Sequence, residues 1–85
     1  MNPRIISVAY LQNHRLLLGF SNGEKKVFNL KPYLHYPIYQ ALEDEIFCGR
    51  VSVFNGTIKW NEVIDFDPDT LYLESLPYAN VEMTN

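Results

Sequence analysis

The residues best suited to chemistry lie near the C-terminal end of the sequence, where aspartates occupy every second position. They are Asp65, Asp67 and Asp69. This spacing matches the first half of a calcium-binding loop, but such a loop also needs glycine at its sixth position and a bidentate glutamate at its twelfth. Thr70 and Leu76 occupy those two positions here. We therefore predict no calcium site in this segment.

The same segment has the features of a helix start. Asp67 can accept a hydrogen bond from a free backbone N–H of the first helical turn, and Pro68 loses nothing at the first helical position because it has no N–H. Asp69 adds negative charge where the helix dipole favours it. We predict that Asp67 caps a helix that begins at Pro68 and that Pro77 stops it.

Two histidines and the single cysteine are the other candidates for catalysis or metal binding. The spacings of His14, His35 and Cys48 match no zinc motif. We expect both histidines to face solvent, in a turn and beside two prolines, and Cys48 to be an inert residue on a strand. The sequence contains no glycine-rich phosphate loop and no Gly-x-Ser-x-Gly elbow. We predict no catalytic residue, no metal, no cofactor and no enzymatic activity.

Three tyrosines recur at intervals of three residues: Tyr33, Tyr36 and Tyr39. Tyrosine is frequent at protein interfaces because its ring buries a large area while its hydroxyl stays in water. The three rings are therefore our candidate interface. They could instead cover the sheet as part of the core, and the sequence leaves both interpretations open.

These residues must be positioned by strands and short helices, and the first third of the chain predicts three strands. The strands are expected at residues 5–11, 15–20 and 25–30. In the second strand large apolar residues alternate from Leu16 to Phe20, so one face should be buried. Asn22-Gly23 is a strong hairpin signal because both residues tolerate positive φ angles. This part of the chain is predicted to form an antiparallel meander.

The rest of the chain predicts one short helix, a hairpin and a final helix. The helix is expected at residues 38–42 after Pro37, and the hairpin joins a strand at 46–54 to a strand at 57–60 through Asn55-Gly56. The expected fold is α+β, with a small five-stranded, mostly antiparallel sheet packed by two or three short helices. Order is expected over about residues 4–76, with a loose tail at 78–85. Such an open sheet would leave two edge strands able to pair with another chain.

Composition favours one soluble domain over residues 1–85. The chain has 85 residues, of which 47% are hydrophobic, and one cysteine, which fits a reducing cytoplasm. It contains no apolar run of about 18 residues, so no membrane span is expected, and its start does not resemble a signal peptide. The net charge is −3 and the seven basic residues are dispersed, so direct binding to nucleic acid is not expected.

Several of these motifs occur together in one known family. They are Leu16 to Glu24, Phe28-Asn29-Leu30, Phe47 to Val53, Gly56 to Trp60 and Asp65 to Tyr72. This succession resembles the bacterial domain of unknown function 2442 (DUF2442) over about residues 4–73. The tryptophan followed by Asp-x-Asp-Pro-Asp-Thr-Leu is the most specific part. Two departures are Asn29, where the family usually has aspartate, and Pro37, where glycine is more common.

The resemblance implies a small antiparallel sheet packed by short helices. Members of that family occur alone or fused to a helix-turn-helix domain, and their genes often neighbour one for a small toxin-like protein. The resemblance therefore implies an antitoxin-like or regulatory role. With no helix-turn-helix domain expected in this chain, any role at DNA would act through another protein.

The function expected from these features is that of a non-enzymatic module that binds a protein partner or itself, as an antitoxin-like or regulatory component. The alternative is a small-ligand-binding domain with a cleft between sheet and helices, lined by Trp60 and Tyr72. A third hypothesis, an enzyme that uses Cys48 or a histidine, predicts a thiol of lowered pKa.

Overall fold

The computed structural model describes residues 2–78, which form two antiparallel sheets and four short helical segments. The larger sheet contains β1 (Ile5–Leu11), β2 (Arg15–Phe20), β3 (Lys25–Asn29) and β6 (Leu76–Pro77), in that order. The smaller sheet is the hairpin of β4 (Ser52–Phe54) and β5 (Thr57–Lys59). The helical segments are two 3₁₀ helices (Lys31–Tyr33 and Pro37–Glu43), α1 (Glu45–Cys48) and α2 (Pro68–Glu74). The α+β class is confirmed.

The predicted meander is present because each of its turns contains residues that accept positive φ. Asn13 and His14 have φ values of 65° and 58° between β1 and β2, and Gly23 has a φ of 91° between β2 and β3. The second turn is further held by the Phe20 N–H, which donates to the Glu24 carbonyl over 2.9 Å. β2 consequently lies between β1 and β3 in the sheet.

The predicted strand at residues 46–54 is wrong in its first half. Asp44 caps a helical turn there, because its carboxylate accepts a hydrogen bond from the Ile46 N–H over 3.0 Å. α1 therefore occupies Glu45–Cys48, and only Ser52–Phe54 is extended. In this helical turn Cys48 is buried and Phe47 is half-buried. A local cap overrides the apolar pattern here.

The single five-stranded sheet is also wrong, and four strands plus a separate hairpin replace it. The fourth strand of the larger sheet is β6, which pairs with β3 through Lys26 opposite Pro77 and Val27 opposite Leu76. The sequence predicts a helix that continues until Pro77 and includes Leu76, but α2 already ends at Glu74. Leu76 is 61% exposed rather than packed on the sheet.

One cluster of buried side chains joins the larger sheet to the hairpin and helices. Its members are Ile5, Leu16, Leu18, Phe20, Phe28, Leu30, Leu42, Cys48, Ile58, Trp60, Ile64, Phe66 and Leu71. The predicted inward face of β2 is confirmed, and Ile58 and Trp60 are buried in the same cluster. The Trp60 indole N–H donates to the Cys48 carbonyl over 2.8 Å, so the hairpin is fixed to α1 by a buried hydrogen bond.

The opposite face of the larger sheet carries an apolar row outside this cluster. Ala9 pairs with Leu17, Leu17 with Val27, and Val27 with Leu76 across the four strands. Paired residues in antiparallel strands point to the same side. Val27 is only 5% exposed although it does not belong to the core cluster.

None of the helices described here is long and apolar enough to cross a membrane. The prediction of a loose tail concerned residues 78–85, of which 79–85 lie outside the described residues. Tyr78 is described and is exposed.

Candidate functional site

An open groove of about 560 Å³ lies between the two 3₁₀ helices and the start of α2. Its lining residues are Tyr33, Tyr36, Pro37, Ile38, Tyr39, Phe66, Asp67 and Thr70. We call this feature the tyrosine groove. It contains all three tyrosines of the candidate interface together with the predicted cap residue, which are separated by about thirty residues in the chain.

The backbone explains why the three tyrosines share one wall. The Tyr36 N–H donates to the Tyr33 carbonyl over 3.1 Å, and the Tyr39 N–H donates to the Tyr36 carbonyl over 2.9 Å. Each step is an i to i+3 hydrogen bond, and side chains three residues apart align in such turns. The interval of three in the sequence therefore becomes a continuous aromatic wall.

The tyrosine rings are held by packing against the core. Tyr33 contacts four other rings, those of Phe28, Tyr36, Tyr39 and Phe66. Tyr39 stacks on Phe66 with ring centroids 4.6 Å apart and an angle of 8° between the planes. Offset-stacked and edge-to-face pairs of this kind add to the stability that area burial provides. Phe66 in turn contacts Trp60, so the groove wall is continuous with the core.

The hydroxyl groups of two tyrosines are fixed by hydrogen bonds. The Tyr33 hydroxyl donates to the Glu74 carboxylate, and the Tyr39 hydroxyl donates to the Asp65 carbonyl over 3.2 Å. Burial, together with the hydrogen bond to Glu74, raises the pKa of Tyr33 to about 12, and burial also raises the pKa of Tyr39. Both hydroxyls are therefore protonated at neutral pH and act as donors.

The three tyrosines differ in exposure. Tyr33 and Tyr39 are half-buried and pack against the core cluster, whereas Tyr36 is 48% exposed. The His35 ring lies against Tyr36 with centroids 4.1 Å apart. Two of the rings thus cover the core and also line the groove, and the third extends that surface outward.

Asp67 is the N-cap of α2, as the sequence predicts. Its Oδ2 atom accepts hydrogen bonds from the Thr70 N–H over 3.0 Å and from the Thr70 hydroxyl over 3.2 Å. The cap also places both side chains at the groove, a contribution that sequence reasoning missed for Thr70. No hydrogen bond to the other oxygen, Oδ1, is found within residues 2–78.

Phe66, Pro37 and Ile38 are further groove residues that the sequence reasoning did not select. A signal for Phe66 was available: Ile64 and Phe66 are buried on either side of exposed Asp65, an alternation that predicts two inward side chains. Nothing in the local pattern shows that Phe66 would meet Tyr39, because that contact depends on how the chain folds back.

The structure does not bring His14, His35 and Cys48 together. The His14 Nε2 atom lies 3.2 Å from the Glu43 carbonyl oxygen, while His35 contacts Tyr36. Cys48 is fully buried beside Trp60, and burial raises the pKa of its thiol to about 11. In residues 2–78 there is no group of three His, Cys, Asp or Glu side chains that could hold a metal ion.

The predicted ligand cleft lined by Trp60 and Tyr72 is not the groove that the structure contains. Trp60 is buried against Cys48, and Tyr72 packs edge-to-face on Phe20 with centroids 5.0 Å apart. The Lys26 Nζ atom lies 3.9 Å from the centre of the Tyr72 ring and donates to the Tyr72 carbonyl. Neither aromatic residue lines the tyrosine groove.

The fold and the groove together define a class: a small α+β module whose short helices present an open aromatic surface beside an antiparallel sheet. The chain belongs to the family described as "Protein of unknown function (DUF2442)", which matches residues 5–77. The resemblance inferred from the motifs is thereby confirmed. A search of curated proteins and a search of solved structures each gave no match.

Proposed function

We propose that this protein is a non-enzymatic interaction module that binds a partner protein in the tyrosine groove. The observation that carries the proposal is the groove itself, which is open, has a volume of about 560 Å³ and is lined mainly by apolar side chains, with Tyr36 48% and Ile38 50% exposed. Grouped exposed apolar side chains mark interaction sites on soluble proteins. Tyrosine is among the residues most enriched at such sites.

The fixed positions of the ring side chains support this proposal. Association loses free energy when side chains must be ordered at the interface. Tyr33 and Tyr39 are already held by their ring contacts and by hydrogen bonds to Glu74 and Asp65. A partner that enters the groove would meet a preorganised wall, so little ordering cost would remain.

The ionisable groups near the groove support a binding role over catalysis. A general acid or base works best with a pKa near the working pH. The pKa values of Tyr33 and Tyr39 are shifted upward, away from neutrality. The buried Cys48 thiol has a pKa of about 11, whereas a nucleophilic cysteine needs a lowered value.

The family resemblance adds a candidate class of partner. A small toxin-like protein would make this chain an antitoxin-like or regulatory component, and the single free cysteine is compatible with action in the cytoplasm. The proposal includes no direct contact with nucleic acid, because the groove is lined by tyrosines and Asp67 rather than by basic side chains.

One observation favours a second candidate, a binding site for a small apolar ligand. The groove volume of about 560 Å³ falls within the range of small-molecule sites, roughly 300–1,000 Å³. Such a ligand would shift the NMR signals of Tyr36 and Thr70. If the groove binds only a small ligand, affinity capture should recover no partner protein. A small-molecule screen observed by NMR distinguishes the two candidates.

The proposal is tested by affinity capture from the native host, followed by binding measurements with the purified partner. Ile38→Lys should abolish binding, because it puts a long cationic side chain into the apolar groove. Ile46→Lys is the matched control: Ile46 is 76% exposed on α1 and does not line the groove, so binding should persist. A monomeric protein that captures no partner, or equal binding by both variants, would contradict the proposal.

A further inference from the structure

We propose that the occupant of the tyrosine groove is a basic segment of the partner protein, with one arginine side chain seated on the aromatic wall and its guanidinium donating to Asp67. This inference rests on the proposed function and specifies the chemistry of the partner. It follows from the distribution of charge around the groove, from the free oxygen of Asp67 and from the exposed aromatic face.

Negative charge is concentrated in the segment that contributes Asp67 to the groove. The segment from Asp65 to Glu74 holds four carboxylates: Asp65, Asp67, Asp69 and Glu74. Residues 60–85 contain six of the ten acidic residues of the chain and none of its seven basic residues. We call the four carboxylates the acidic segment. A basic segment of a partner protein would have the charge that complements these carboxylates.

The lysines that lie close to this segment form no ion pair with its four carboxylates within the described residues. Lys26 donates to the Tyr72 carbonyl of α2. The backbone of Lys59 lies opposite Asp65 in an isolated β-bridge, and its Nζ atom pairs with Glu62 over 3.3 Å. In the segment that contributes the tyrosines, Lys31 is the single lysine or arginine between residues 31 and 49. The same part of the chain includes Glu43-Asp44-Glu45. Carboxylates therefore outnumber cations in both chain segments that supply the groove residues.

Asp67 offers a defined acceptor at the groove. Its Oδ2 atom accepts both hydrogen bonds from Thr70, whereas Oδ1 has no hydrogen-bond partner within the described residues. A guanidinium in the groove can donate to Oδ1 without disturbing the cap. Charge-assisted hydrogen bonds of this type are stronger than neutral ones.

The aromatic wall favours arginine over lysine. A guanidinium is planar, is weakly hydrated and stacks on aromatic faces, whereas an ammonium is a compact and strongly hydrated charge. The exposed Tyr36 ring and the groove floor formed by Tyr39 stacked on Phe66 offer such faces. Cation–π attraction adds to the hydrogen bond at Asp67.

Two other occupants fit the charges less well. A second copy of this chain, with a net charge of −3, would bring another acidic segment towards the first. An anionic ligand such as a phosphate group would meet the Asp67 carboxylate in the groove rather than a cation. Binding of either of these occupants in the groove would contradict the proposal.

The test is an NMR titration of the full 85-residue chain with N-acetyl-arginine amide. N-acetyl-citrulline amide serves as the neutral probe of nearly the same shape. Saturable shifts at Tyr36, Ile38 and Thr70 are expected with the arginine probe and not with the citrulline probe. The arginine affinity should also fall in about 0.5 M NaCl, where exposed charges are screened. Equal shifts with both probes, or no saturable shift, would overturn the proposal.

Asp67→Asn provides the matched variant, because asparagine caps helices as well as aspartate does. It removes the charge, and we expect it to weaken arginine binding by about three- to tenfold. Asp69→Asn removes a charge from the same acidic segment at a residue that contacts Asn2 and does not line the groove, so it should change binding by less than about twofold. Equal effects of the two variants would contradict a direct contact at Asp67.

The purified partner separates failure of this inference from failure of the proposed function. If the partner binds wild type and fails to bind Ile38→Lys, but its affinity does not change with Asp67→Asn or with salt, the groove is an interface and its occupant is not a basic segment. If the partner binds wild type and Ile38→Lys equally, the proposed function itself is wrong. Oligomerisation that Ile38→Lys abolishes would identify a second copy as the occupant and contradict the inference.

Discussion

At the scale of single residues, Asp67 combines a structural task with a position in the groove. Its carboxylate satisfies the Thr70 N–H at the start of α2, and the same side chain lines the tyrosine groove. The first N–H groups of a helix have no partner within the helix, so a cap at this point stabilises α2. The two tasks can be separated by the choice of substitution.

We predict that Asp67→Ala lowers the free energy of unfolding by about 1 kcal/mol, the usual effect of losing an N-cap. Asp67→Asn should retain nearly all of that stability because its amide oxygen can accept the same hydrogen bond. Urea denaturation observed by circular dichroism measures both variants. An asparagine variant as unstable as the alanine variant would show that the charge, and not the cap, provides the stability.

Cys48 is a second residue whose surroundings determine its chemistry. Its side chain is fully buried, and burial raises the pKa of the thiol from 9.0 to about 11. Because the thiolate is the reactive form, the two-unit shift lowers the reactive fraction at pH 8 about a hundredfold. We predict alkylation by iodoacetamide at least about a hundredfold slower in native protein than in urea, measured by mass spectrometry. Rapid alkylation of the native protein would revive the hypothesis of a catalytic cysteine.

At the scale of elements, the two Asn-Gly hairpins offer a matched comparison. Gly23 and Gly56 both have positive φ, at 91° and 79°. A Cβ atom at Gly23 would meet no atom within 4 Å, whereas one at Gly56 would overlap the Arg4 guanidinium. The Arg4 Nη2 atom donates to the Asn55 carbonyl over 2.8 Å and therefore joins the hairpin to the chain just before β1.

We predict that Gly56→Ala destabilises the protein by about 1 kcal/mol more than Gly23→Ala, because the Arg4–Asn55 hydrogen bond is lost in addition to the backbone strain. Thermal or urea unfolding measures the difference. In an Arg4→Ala background the two glycine variants should have similar effects, since the hydrogen bond is already absent. A difference that persists in that background would place its cause elsewhere in the hairpin.

The 3₁₀ segments and α1 show how strongly local geometry shapes this fold. Two consecutive i to i+3 hydrogen bonds align the tyrosines, and the Asp44 cap starts α1 within an apolar run. Each effect requires only a few neighbouring residues. Together they move residues 45–48 out of the sheet and leave room for the hairpin of β4 and β5 to contact β1 through the Ile5 N–H, which donates to the Gly56 carbonyl.

At the scale of the whole molecule, three raised pKa values make alkaline pH destabilising. Burial raises the pKa of Cys48 from 9.0 to about 11, and those of Tyr10 and Tyr33 from 10.0 to about 12, with hydrogen bonds to Glu45 and Glu74 adding to the tyrosine shifts. The folded state therefore holds these protons at a pH at which the unfolded chain has released them. Their stabilisation is complete below the unfolded pKa values and is lost as pH rises through the folded ones.

We predict that the free energy of unfolding falls steadily between about pH 9 and pH 12, the window set by these pKa values. Urea titrations at several pH values measure the slope. Tyr10→Phe keeps the ring but removes one titrating hydroxyl, so its slope between pH 10 and 12 should be shallower than that of wild type. A flat profile in wild type, or identical slopes, would contradict the linkage.

Much of the fold could be predicted from the sequence because its signals are local. The Asn22-Gly23 and Asn55-Gly56 turns occur where expected, and alternation identified the buried face of β2. Asp67 and Pro68 marked the start of α2, and Pro37 begins a helical segment. Turn and cap preferences depend on a few adjacent residues, so they can be identified without tertiary information.

The errors and omissions arise where a local cap competes with an apolar pattern and where distant residues decide the structure. The run at 46–54 satisfied a strand pattern, yet the Asp44 cap and the buried hydrogen bond from Trp60 to Cys48 favour α1. β6 exists because β3 offers an unpaired edge to residues almost fifty positions later. The contact between Trp60 and Cys48 and the pairing of β3 with β6 cannot be recognised from the residues next to either partner in the sequence.

The sequence by itself determined the turns, the helix cap, the interval of three between the tyrosines and the family of this protein. Only the tertiary structure decided that Tyr33 and Tyr39 pack on Phe66 and that Asp67 lies on the opposite side of the same groove. The physical reason is the separation along the chain between the residues that interact. Hydrogen bonds in turns and caps join neighbours in the chain, whereas the groove joins segments whose separation is closed only when the whole core packs.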